Sequence, residues 1–232
     1  MLVAAAVCPH PPLLVPGVAA GATAETDDLR AACDAAVAVL LAAQPDLVVV
    51  VGAADRMDPF PAGAWGSLRA YGLDDRDLGI VAGDGEPTLP LPLTLGRWLL
   101  DRAGAAGGLL FGVVADAARD RCVEIGTALA DRAPRVGMLV MGDGTGRRTP
   151  KPGYLDDRAE PFDASVSAAL AAGDTDALAG LDVALAEDLL VQGRAAWQVL
   201  AGAAAGTAWR GEVTYDAAPY GVGYLVATWL PD

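Results

Sequence analysis

The chain has 232 residues, 53% of them hydrophobic, which is enough for one large domain with a sizeable core and does not demand a second. Its formal charge of −14 repels polyanions and argues against nucleic acid or an anionic membrane surface as a main partner. No apolar run reaches the roughly 20 residues that a membrane-spanning helix needs, and Met1-Leu2-Val3 lacks the basic opening of a signal peptide, so a cytoplasmic protein is expected. Cys8, Cys33 and Cys122 are an odd, widely spaced set without a CxxC pair, which reads as free thiols.

In chain order, Leu2 to Cys8 is a short apolar run that stops at Pro9-His10-Pro11-Pro12. Prolines cannot continue a ladder, so this is a buried strand that delivers His10 at its carboxyl end. Thr26 to Gln44 carries Leu29, Cys33, Val37, Leu40 and Leu41 at helical spacing, with acidic residues in the first turn and Pro45 as its stop. Leu47 to Val51 is apolar on both faces, as in a parallel sheet covered by helices, and it ends at Gly52-Ala53-Ala54-Asp55. A turn-rich stretch to about Gly66 precedes a weaker strand near Leu78 to Ala82 and a helix from Leu93 to Arg102.

Leu109 to Val114 and Val136 to Met141 read as strands, with a helix from Cys122 to Ala130 between them closing a crossover. Gly142 to Tyr154 has no period and reads as a long loop. Helices from about Phe162 to Ala171 and from Leu185 to Gly202 lead to two closing strands, Ala208 to Tyr215 and Gly221 to Trp229. The alternation predicts one α/β domain over residues 1–232: a mostly parallel central sheet flanked by helices on both faces, with an antiparallel C-terminal hairpin.

Ligands of open α/β sheets collect at the carboxyl ends of strands, which directs attention to His10, Asp55, Asp143 with Arg147, and Asp216. In the loop, Gly142, Gly144 and Gly146 would let backbone N–H groups converge on an anion, with Asp143 among them and Arg147, Arg148 and Lys151 adding charge. A solvated basic loop or a subunit contact explains the same residues. The spacing is not that of a Walker motif. Trp197, Trp209, Trp229, Tyr215 and Tyr224 read as core or interface aromatics, those nearest Asp216 being placed to line a pocket.

Pro9-His10 after the first strand, the turn after Val48-Val49-Val50-Val51, the glycine-rich turn at Gly142 to Arg148, and Tyr215-Asp216 with Gly221-Val222-Gly223-Tyr224 together resemble the B-subunit (LigB-like) family of class III extradiol dioxygenases, to which the Memo proteins are related. The resemblance runs over nearly the whole chain. It implies non-haem iron(II) held by two histidines and a glutamate, with a further histidine in the glycine-rich turn as acid and base. Here only His10 matches by type. The second ligand position falls at Ala53 to Asp55, the turn histidine near Arg147 and the glutamate near Asp216.

Arg147 stays protonated and cannot replace a histidine base, although it can bind an anion. His10 with Asp55 and Asp216 would suit a divalent cation such as iron, zinc or manganese, against the plainer reading of a hydrogen-bonded histidine in a proline-rich turn. The resulting expectation is a divergent dioxygenase-like enzyme acting on a small anionic or aromatic molecule, with His10 and Arg147 as catalytic groups and ordinary catechol cleavage disfavoured. The rival expectation is a non-catalytic, Memo-like binding protein on the same scaffold. A homo-oligomer is compatible with either.

Overall fold

Six strands, β1 (Leu2–Cys8), β2 (Leu47–Ala53), β3 (Leu109–Val113), β4 (Val136–Met141), β5 (Trp209–Ala217) and β6 (Tyr224–Pro231), form one sheet in the order β3-β2-β4-β1-β6-β5. This is a computed structural model, and it describes residues 1–18, 26–75, 86–105, 107–149 and 154–232. Strands β3, β2, β4 and β1 are mutually parallel, so their carboxyl ends share one edge. Strand β6 runs antiparallel to β1, and β5 antiparallel to β6, which closes the chain as a hairpin. The expected α/β architecture is therefore observed in its coarse form.

The described residues include seven helices: α1 (Asp27–Ala42), α2 (Leu91–Arg102), α3 (Arg119–Ala130), α4 (Ala159–Ala172), α5 (Thr175–Ala179), α6 (Val183–Asp188) and α7 (Arg194–Ala204). Strand side chains alternate between two cores, because successive Cβ atoms point to opposite faces. Ala4, Ala6 and Cys8 of β1 join Leu29, Val37, Leu93 and Leu99 on the α1 and α2 side. Ala5 and Val7 join Ile125, Val166, Trp197 and Val199 on the α3, α4 and α7 side. All six residues of β4 are buried, as a central parallel strand covered on both faces requires.

One expectation from sequence needs correction. The apolar period from Leu185 to Gly202 does not make one helix: α6 ends at Asp188, Leu190 takes a left-handed conformation (φ 58°), and α7 begins at Arg194. The two pieces differ in burial, α6 burying only Ala186 while every residue of α7 is buried. The short α5 went unpredicted; Asp174 caps it by accepting from the Ala177 N–H. The expected strand Leu78 to Ala82 lies outside the described residues. No helix among the described residues is long and apolar enough to cross a membrane.

Helices α3 and α7 approach closely because glycine lies on both sides of the crossing. A Cβ on Gly126 would collide with the Val199 carbonyl and one on Gly202 with the Val123 carbonyl, in each case rigid helix backbone. Gly126→Ala is expected to destabilise the fold by about 1–3 kcal/mol, the usual cost of overpacking, in urea unfolding. Gly63→Ala, where an added Cβ meets nothing within 4 Å, should leave the midpoint nearly unchanged. Equal midpoints for the two variants would contradict this account of the crossing.

Candidate functional site

Strands β1 and β4 are neighbours, and the residues that leave their carboxyl ends meet. The Gly142 N–H donates to the Cys8 carbonyl at 2.9 Å, which carries the ladder one step beyond the strands. Asp143 then turns its carboxylate back: Oδ1 accepts the His10 backbone N–H at 2.7 Å and lies 3.5 Å from His10 Nδ1. That second distance is too long for a good hydrogen bond, and Nδ1 is a buried nitrogen without a hydrogen-bond partner. The contact with the ring is electrostatic.

Both groups are buried, at 5% exposure for His10 and 9% for Asp143. Burial pushes the His10 pKa down, against a smaller upward pull from Asp143. Burial pushes the Asp143 pKa up, against the downward pull of His10 and its backbone N–H. Desolvation thus favours the neutral form of each group. Tyr224, at the start of β6 and equally buried, is held well above the ordinary phenol range by burial first, then by Asp143, Tyr220 and Tyr215. The contacts thus pair an imidazole with a carboxyl, and the Asp143 charge reaches the Tyr224 phenol as well. Sequence reading singled out the first two and left Tyr224 among aromatics of the core, an interface or a pocket near Asp216; its signal was its place at the start of the strand beside β1.

Cys8 and Cys33 pack on the same side of the sheet. Interaction with the Cys8 side chain and then burial hold the Cys33 thiol well above the usual thiol range, so Cys33 is not a ready nucleophile. Trp209 and Trp229 stack at 6.1 Å and spend their indole N–H groups on the Ala204 and Leu170 carbonyls, so both are core residues.

Several N–H groups of the glycine-rich loop are committed within the protein. Gly144 donates to Gly223, Thr145 to the Asp163 carboxylate, Gly146 to Leu189 and Arg148 to Gly221. Arg147 is directed toward α6, where its Nε donates to the Asp188 carbonyl at 3.3 Å. Arg148 faces Asp163 and Glu160, each at 3.5 Å. Lys151 lies outside the described residues.

Asp55 and Asp216 stand apart from this cluster. The Asp55 carboxylate is 79% exposed and pairs with Arg56 at 3.1 Å. Asp216 is exposed on β5, where its charge acts on Asp163, while the charge that acts on His10 is that of Asp143. Among the described residues, no three His, Cys, Asp or Glu side chains are grouped to hold a metal ion. The two-histidine, one-carboxylate iron site does not fit this chain, because His10 is its only histidine.

No protein-family model matches the chain, and the comparison with curated proteins finds no match. Among solved structures, the crystal structure of an uncharacterized protein from Escherichia coli K12 is similar over 98% of this chain and 99% of that one, with a TM-score of 0.51 and 14% identity. At that identity the likeness shows a shared fold.

The His10 shift fixes a sign for acid behaviour. Because the folded pKa lies below the ordinary 6.5, the unfolded chain binds more protons between the two values. Stability then rises with pH through that window and is lost as pH falls below about 6.5. Asp143, raised above 3.8, has the opposite sign and returns stability on acidification. Urea midpoints measured from pH 7.5 to 5.5 should fall for the wild type and stay level for His10→Gln, with no other histidine to confuse the comparison. A level wild-type profile would count against a buried neutral imidazole.

Proposed function

We propose that this chain is a divergent member of the extradiol-dioxygenase-like scaffold that binds a small aromatic molecule at the His10–Asp143–Tyr224 cluster, and that it does not perform ordinary catechol ring opening. The observation that carries the reading is the buried imidazole and carboxyl facing each other where two adjacent parallel strands end, the place where open α/β sheets collect ligands. A lowered pKa keeps His10 neutral near pH 7, which is the form a general base needs. With Nδ1 turned to Asp143, Nε2 is the nitrogen left to accept a ligand's hydroxyl proton. Asp143 fixes the residue through its backbone N–H. The un-ionised Tyr224 phenol supplies a donor at the same place.

The arginines favour the aromatic over the anionic half of the expectation. Arg148 is engaged with Asp163 and Glu160, and Arg147 is turned toward Asp188. Their engagement also supports a second reading, a binding protein on the same scaffold without turnover. The proposal needs no metal-dependent step.

Phenol, benzoate and catechol, titrated separately into the full-length labelled protein, test the reading through the backbone amides of His10, Asp143 and Tyr224. Phenol is expected to perturb these amides saturably and more strongly than benzoate. Its affinity should fall about tenfold in His10→Ala, the loss of roughly one hydrogen bond's net worth. Perturbation unaffected by His10→Ala, or none with any probe, would remove the proposed site. Product formation from a bound probe separates the enzyme from the binding protein. Stoichiometric metal in protein purified without chelator, lost in His10→Ala, would instead favour His10 as a ligand in an altered metal site.

A further inference from the structure

The glycine-rich loop has the geometry of an anion cradle, and an anion already fills it. Asp163 of α4 is 2% exposed, and its carboxylate accepts from the Thr145 N–H and from Thr145 Oγ1, both at 2.8 Å. Two glycines make the space for it. A Cβ on Gly144 would lie 2.6 Å from Asp163 Oδ1, and one on Gly223 would collide with Oδ2. Those glycines are themselves tied together, Gly144 N–H to the Gly223 carbonyl at 2.7 Å and Gly223 N–H to the Thr145 carbonyl at 2.9 Å. Arg148 supplies a cation at 3.5 Å.

The neighbours of these glycines in sequence are the functional groups. Gly144 follows Asp143, and Gly223 precedes Tyr224. One buried carboxylate therefore pins both segments from which the site's carboxyl and phenol project. We infer that Asp163 is a positioning residue for the His10–Asp143 centre: it locks residues 144–145 against the turn before β6, and so sets where Asp143 meets the His10 N–H. This rests on His10–Asp143 being the working centre of the proposed function. Asp163 itself touches no ligand. Burial raises its pKa despite Thr145 and Arg148, the sign of a carboxylate kept at a cost for the sake of the contacts it makes.

The test reads the bond that Asp163 is said to hold in place. Amide hydrogen exchange at His10 reports its donation to Asp143, and exchange at Ala6, inside the β1 ladder, reports the strand. In full-length Asp163→Ala, exchange at His10 should accelerate about tenfold relative to Ala6 in the same sample. Asp163→Asn keeps an acceptor for the Thr145 N–H and should hold the ratio within about threefold of wild type. Val166→Ala, a core truncation on the same helix, should move both amides together.

An unchanged His10 to Ala6 ratio in Asp163→Ala, or an equal change in Val166→Ala, overturns the inference. If Asp163→Ala does not fold, Thr145→Val removes the hydroxyl bond alone and should shift the ratio in the same direction; an unchanged ratio there overturns it too. No ligand is needed, so failure of the phenol titration leaves this result standing, and failure here leaves the titration standing.

Discussion

The carboxyl edge of the sheet is shaped by one steric constraint: β4 leaves the sheet directly beneath the first turn of α7. A Cβ on Gly142 would collide with the Gly193 Cα and crowd the Trp197 ring. Residue 142 must therefore lack a side chain, and so must residue 193, where a Cβ would enter the same ring. With both glycines in place the chain is close enough for the Gly193 N–H to reach the Asp143 carbonyl at 2.8 Å. The backbone of Asp143 is then fixed from the α7 side while its carboxylate turns to β1. A strand, a helix terminus and a buried acid are positioned by the absence of two methyl groups.

The same closeness explains why the loop is not an open nest. Between Gly142 and Arg148 the chain is gripped by the α6–α7 turn on one side and the β5–β6 turn on the other, through backbone bonds from Gly144, Gly146 and Arg148. Left-handed backbone at Leu190, uncommon for a branched side chain, lies in one of the gripping turns. Strain of this kind persists only where surrounding contacts over-determine it. Here those contacts hold Gly146 and Arg148, so residues 144–148 are tied into the scaffold.

Much of this was legible in the sequence, and the rest was hidden for identifiable reasons. β-branched runs such as Val48 to Val51 and punctuation such as Pro9 to Pro12 mark buried parallel strands, because burial on both faces and the loss of a ladder N–H leave little else they can be. Position alone marked His10 and Asp143. The break at Leu190 was invisible because a left-handed leucine has no compositional signature. Asp163 was invisible for a different reason: on an amphipathic helix a lone carboxylate reads as a solvent-facing residue. Packing of α4 against β5 and β6 brings that residue to the loop, where it accepts from the Thr145 N–H. Asp55 and Asp216 stood at strand ends as plainly as Asp143, yet both face solvent, since a strand end fixes where the backbone goes and not where the next side chain points.

The charge distribution gives the proposed site its chemical character. An anionic ligand approaching His10 would meet a chain with 14 surplus negative charges and a buried acid at the site itself. The two cations nearest in sequence offer little compensation, since Arg148 answers Asp163 and Glu160 while Arg147 is held toward Asp188. A neutral ligand carrying a hydroxyl meets no such penalty. In the proposed reading it donates to the imidazole and accepts from the un-ionised phenol of Tyr224. With Arg147 and Arg148 engaged in holding the loop, the proposed aromatic ligand would rely on hydrogen bonds rather than on positive charge.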